Sequence, residues 1–284
     1  MRSPLRAGSA VLTRSVPWMR RTAVAGVMTL ALAAAMTLPA LAIAGGTPAA
    51  SGQFGYAVSL STGSTPFCTG VALNTVTVLT AASCVEGRNP ASISIRYDSL
   101  NSTSGGLQVA ASSIVVYPGY DSGTFQDNIA VVHTGLPMLD LSPIALPAAG
   151  DDPAGGTVLT VAGWGPTVAG GAPSKILLTV QLPVISRAAC DASYAPSGYA
   201  ITADMLCAGV TGGGKAACVQ KPGPGQYTGF GDAGGPAVTY TGLLGEPVLR
   251  AIPSWSIGCA SPGYPGVYTR IGYFTGWIDE NLLL

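Results

Sequence analysis

Six cysteines, a single histidine and the glycine-rich run Gly231-Asp232-Ala233-Gly234-Gly235-Pro236 are the residues whose types could do chemistry in this chain. A metal site would need more: there is no Cys-x-x-Cys pair, and His133 is the only imidazole, so neither a metal nor a cofactor is expected. Six cysteines read instead as three disulfides, with 15 connectivities open on spacing alone. Covalent acyl transfer would require a hydroxyl or thiol to attack, an imidazole to take and return its proton, and a carboxylate to orient that imidazole. His133 lies five residues beyond Asn128 on the same predicted strand and reads as a surface residue without a role.

The elements that must position these residues are strands. Short runs rich in Val, Ile, Leu and Thr alternate with Gly, Pro and Ser clusters: Tyr56 to Leu60, Gly70 to Leu73, Val76 to Thr80, Ile93 to Tyr97 and Ile114 to Val116. The rhythm returns at Thr157 to Ala162, Ile176 to Pro183, Ala237 to Tyr240, Pro247 to Trp255 and Gly266 to Ile271. This pattern predicts an all-β barrel or sandwich. Helix is expected in two places only. Ser186 is a good N-cap for Arg187 to Tyr194, and at the C-terminus Phe274, Trp277, Ile278 and Leu282 share one face.

Residues 1–42 read as a leader rather than as fold. Arg20 and Arg21 precede an apolar run to about Leu38, and Ala40-Leu41-Ala42 is a small-x-small cleavage site. Cleavage there makes Ile43 the N-terminus and the product secreted and extracellular; an uncleaved membrane anchor is the alternative, and Met1 and Met19 both remain as starts. The leader holds five of the 13 Lys and Arg and none of the 13 Asp and Glu, which leaves eight against thirteen and a net charge of −5 from Ile43 onward. An acidic surface without basic clusters excludes nucleic acid as partner. Asn101-Ser102-Thr103 is a glycosylation sequon, meaningful only in a eukaryotic secretory pathway.

Several ordered segments resemble the trypsin/chymotrypsin-like serine proteases. Ile43-Ala44-Gly45-Gly46 resembles the mature N-terminus, Ala162-Gly163-Trp164-Gly165 the Gly-Trp-Gly strand, and Gly266-Val267-Tyr268-Thr269-Arg270 the last strand before the C-terminal helix. Three further segments match around a changed residue. Leu79-Thr80-Ala81-Ala82-Ser83-Cys84 is similar to the histidine motif with Ser83 in the histidine's place, Asp127-Asn128-Ile129-Ala130 puts Asn128 at the aspartate, and Ala233 stands at the nucleophile. A serine hydroxyl does not titrate near neutral pH and is no general base.

The resemblance implies two packed six-stranded Greek-key barrels, about 43–150 and about 151–270, followed by a helix at about 272–284. It implies the disulfides Cys68–Cys84, Cys190–Cys207 and Cys218–Cys259. It implies oxyanion-hole N–H groups at Gly231 and Ala233, an ion pair between the Ile43 ammonium and Asp232, and a specificity pocket of Ala216, Ala217, Trp255, Ser256 and Gly266. Ala216 brings no charge to the pocket base, so a small apolar group is favoured. Ser256 replaces an entrance glycine, and Pro253 withdraws a backbone donor from the same strand. Val219 to Phe230 fills with 12 residues a place where the family commonly has one.

With all three triad positions replaced, the expectation is a pseudoprotease, not an enzyme, that binds an unknown extracellular protein or peptide. An active hydrolase with an unusual site and a structural protein with a relict cleft are the alternatives.

Overall fold

The first barrel closes on itself through six antiparallel strands. The computed structural model describes residues 43–219 and 231–282, all in the compact unit Pro39–Leu284. Expectations about the leader and about 220–230 fall outside the described residues. After the two-residue β1 (Thr47–Pro48) come β2 (Ala57–Thr62), β3 (Thr65–Ala72), β4 (Thr77–Thr80), the short helix α1 (Ala82–Val85), β5 (Ser94–Tyr97), β6 (Leu107–Val116) and β7 (Ala130–Thr134). They close in the order β2-β3-β4-β7-β6-β5. β-Branched and apolar residues dominate these strands and suit a pleated, half-buried surface. Val58, Leu60, Val78, Ile95 and Val132 fill the barrel.

The second barrel uses β8 (Val158–Gly163), β9 (Leu178–Ile185), β10 (Met205–Ala208), β11 (Ala237–Thr241), β12 (Glu246–Trp255) and β13 (Gly266–Arg270), with α2 (Arg187–Tyr194) between β9 and β10. The ring runs β8-β9-β10-β13-β12-β11 and closes through the β11 to β8 pairing, while β1 adds to β9. β9 alternates buried and more exposed positions, as a strand with one face on a core must. Its interior holds Ile43, Leu159, Val161, Leu182 and Tyr268. Pro253 sits where the β12–β13 register shifts, so its missing N–H falls at an irregularity that needs no ladder donor.

A third apolar cluster joins the barrels, with Leu79 and Val131 from the first, Leu249 and Ile252 from the second, and Phe274 and Ile278 of α3 (Ile271–Glu280). Trp277 and Leu282 pack against it, as the one-face pattern requires. α2 begins where Ser186 Oγ accepts the Ala189 N–H at 3.3 Å. The three disulfides pair as the resemblance implies, Cys68–Cys84, Cys190–Cys207 and Cys218–Cys259. Among the described residues no helix is long and apolar enough to cross a membrane.

His133 departs from expectation. It lies on β7 with only 5% of its surface exposed, and its Nδ1 finds no hydrogen-bond partner. All five β7 residues are buried: Val131 packs in the cluster that joins the barrels, and Ala130 and Val132 in the first barrel's interior, so both faces are covered.

Candidate active site

The structure brings Ser83, Asn128 and Ala233 into the region where the barrels meet. Ser83 is carried by α1, and its backbone N–H donates to Asn128 Oδ1 at 2.8 Å. The Asn128 amide group donates to Ser83 Oγ at 3.2 Å and to Ser254 Oγ at 2.8 Å. Thr269 Oγ1 donates to the Asn128 carbonyl at 2.9 Å. Asn128 is fully buried, and one amide satisfies both a donor and an acceptor requirement there. Ser254 went unnoticed in the sequence; its signal is a hydroxyl immediately before the pocket-wall Trp255.

Asp127, the other carboxylate within one residue of this position, turns elsewhere. Its backbone is left-handed, with φ +52°, and its N–H donates to Asp204 Oδ2 at 2.7 Å. Burial, then the neighbouring Asp204, raises the Asp127 carboxyl to a pKa of about 6.

The loop bearing Ala233 is gripped from both sides. From the first barrel, Thr69 N–H donates to the Ala233 carbonyl at 3.1 Å and Thr69 Oγ1 to the Gly231 carbonyl at 3.3 Å. Gly234 has φ +77°, and a Cβ there would lie 2.2 Å from Thr80 Oγ1, so only glycine fits. From the second barrel, the buried Asp232 carboxylate accepts Gly165 N–H at Oδ1 and Cys218 N–H at Oδ2, both at 2.8 Å. A Cβ at Gly163 or Gly165 would overlap Asp232, which explains the Gly-Trp-Gly run: it hollows a cradle for this side chain. Burial raises the Asp232 pKa to about 7 against the two N–H bonds, which lower it. Among the described residues, neither Gly231 N–H nor Ala233 N–H has an acceptor. Ala233 itself is buried among Ala82, Cys84 and Val85.

Ile43 is fully buried in the second barrel, anchored by Gly46 N–H to its carbonyl at 2.8 Å and by Ala216 N–H to the Ala44 carbonyl at 3.2 Å. Its nitrogen is here a peptide nitrogen following Ala42, so it carries no ammonium. The ion pairs among the described residues are Arg250–Asp151 and Arg270–Asp152. The pair with Asp232 belongs to a chain that begins at Ile43; here Ile43 and the Asp232 carboxylate are each buried in the second barrel.

Ala216, Ala217, Trp255, Ser256 and Gly266 are all buried. Ser256 Oγ lies 2.8 Å from the Val219 carbonyl and 2.6 Å from that of Gly258. Tyr268 went unnoticed in the sequence: its buried hydroxyl lies beside Gly266. Lys215 precedes the pocket base but is exposed. Among the described residues no three of His, Cys, Asp and Glu gather as metal ligands.

Comparison with known proteins decides the family. The Trypsin family matches residues 43–278. The chain belongs to it. Trypsin Blo t 3 of Blomia tropicalis is 39% identical over 244 residues, 83% of this chain and 84% of its own length. Trypsin zeta of Drosophila melanogaster is 36% identical over 84% of this chain and 85% of its own length. Trypsin-1 of Astacus astacus is 34% identical over 84% of this chain and 99% of its own length. The expectation that the chain is not an enzyme is corrected here, because relatives this similar over most of the chain are named trypsins and point to a protease. The physical error lay in equating lost side chains with lost reaction. A serine protease without its triad retains about 10³–10⁴-fold acceleration over water from oxyanion hole and binding.

Proposed function

We propose that this chain is a secreted trypsin-family protein that takes an extracellular protein or peptide into its cleft and assists its hydrolysis without an imidazole. The observation that carries this reading is the Asp232 clamp, which holds the Gly231 to Ala233 loop with two N–H groups uncommitted. Preorganised donors of this kind stabilise the oxyanion that forms as water adds to a carbonyl, and they need no side chain at residue 233. The proton leaves to solvent, and the Ser83–Asn128–Ser254 network offers hydroxyls to orient water but no base to accept it. The rate therefore falls far below that of a complete triad.

The uncharged Ala216 and Ala217 support selection of a small apolar residue. Three disulfides support an extracellular setting.

The test is binding of a fluorescent peptide ending in Ala-Ala-Ala against one ending in Ala-Ala-Arg. Tighter binding of the alanine peptide, competed by its unlabelled form, is the expected result. Equal binding of both, or saturable binding of neither, refutes the reading.

A further inference from the structure

The geometry points to a second binding site, independent of the cleft: a cavity beside α2 that takes a short-chain carboxylate, its head on Arg187 and its apolar tail inward. The cavity has a volume of about 270 Å³ and lies between the loop at Asp152 to Gly155, the end of β9, the start of α2, and β10. Its inner wall is apolar, from Val184, Ile201, Met205 and Leu206, each less than 10% exposed. The Cys190–Cys207 disulfide ties α2 to β10, so the wall does not depend on a ligand to hold its shape.

Two guanidinium groups line this cavity and converge on one oxygen. Arg187 Nη2 and Arg270 Nη1 both donate to the Ala203 carbonyl, at 3.2 and 2.5 Å. Arg270 is neutralised, since Asp152 takes its Nε and Nη2 at 2.6 and 2.5 Å. Arg187 is not. Its other bond, from Nη1, goes to the Thr202 carbonyl at 2.8 Å, and it makes no ion pair among the described residues. Carbonyl contacts orient a guanidinium without cancelling its charge, so an anion beside Arg187 finds a charge that is positioned but unpaired.

A planar carboxylate matches the guanidinium fork. The cavity's size and lining distinguish that anion from an inorganic ion. At about 30 Å³ per water-sized group, 270 Å³ holds roughly nine, more than an ion fills, and buried methyl groups line the far end. Hexanoate matches both the volume and the polarity. This chemistry is distinct from that of the cleft, where the pocket base is neutral.

The test titrates the protein beginning at Ile43 with hexanoate, hexanol and hexylammonium, following the methyl resonances of Met205 and Ile201. Hexanoate is expected to give saturable shifts that weaken as salt rises, with the other two at least about tenfold weaker. Arg187→Gln should lose at least about tenfold in hexanoate affinity, while Arg187→Lys, which keeps the charge, should lose less. Both variants should melt as the parent does, because Arg187 is exposed. Hexanol binding as tightly as hexanoate, no saturable shift with hexanoate, or an Arg187→Gln variant that binds like the parent would each overturn the assignment. The salt dependence is read on the parent protein and stands even if a variant misfolds.

Discussion

At the scale of single residues, Ser83, Asn128, Ser254 and Ala233 share one hydrogen-bonded frame where the barrels meet. Ser83 and Asn128 are joined, Ser254 reaches the same amide, and Ala233 sits in a loop gripped by Thr69 and Asp232. Ser83→His, Asn128→Asp and Ala233→Ser together should therefore raise hydrolysis of a small-acyl ester by at least about 10²-fold. Each change alone should leave it within about tenfold, because nucleophile, base and orienter act as a unit. Steady-state kinetics on the three single variants and the triple variant checks this.

Asp232 supports a second expectation at this scale. Where Ile43 is an internal residue, the raised pKa means that the folded state holds a proton the unfolded chain has released, so stability falls as pH rises from about 4 to about 7. Where the chain begins at Ile43, a buried ammonium would face the carboxylate. Asp232→Asn should then cost roughly 3–5 kcal/mol at pH 8, and clearly less in the N-terminally extended chain. Denaturant unfolding of both chain forms, each with and without the substitution, reads the difference.

At the scale of elements, β7 shows what a strand pattern can and cannot reveal. The run around His133 is apolar, and the surface reading of the histidine came from the family resemblance, not from that run. The strand is covered on both faces, a tertiary outcome that period-two reasoning does not contain. Burial lowers the His133 pKa, so below about pH 6.5 the unfolded chain binds a proton that the folded one refuses, and stability is lost as pH falls through that range. His133→Leu should reduce the drop in melting temperature between about pH 7.5 and about pH 5.

The strand before the Gly163-Trp164-Gly165 segment was legible, and it ends at Gly163. The segment's glycines could not be read as a cradle, because the side chain they admit comes from Asp232, far along the chain. By contrast, the Ser186 cap and the Phe274, Trp277, Ile278 and Leu282 face were legible locally and hold in the structure, since each depends only on neighbours within a turn or two. The two barrels and the cysteine pairing came through the family resemblance and not through periodicity.

At the scale of the whole molecule, the barrels meet through an apolar cluster and a few polar bridges. Asp127, on the loop before β7, donates its N–H to Asp204, just before β10, which brings two carboxylates near each other with no ion pair to either among the described residues. Because the Asp127 pKa is raised to about 6, the folded state retains its proton above the unfolded value. Stability is lost as pH rises from about 4 to about 6. Tyr117, Tyr273 and Arg270 are the other ionisable groups around this contact. Asp127→Asn should flatten that part of the stability profile and raise the melting temperature at pH 8, as thermal unfolding across the range would show.

The central claim, that this trypsin-family cleft assists hydrolysis without an imidazole, is tested most directly by one rate. The protein beginning at Ile43 is incubated with a p-nitrophenyl ester of an N-blocked alanine, and the first-order constant at saturation is divided by that in buffer alone. A ratio approaching about 10³, lost on heat denaturation and smaller for the arginine ester, is the expected result. A ratio of one with both esters would contradict it.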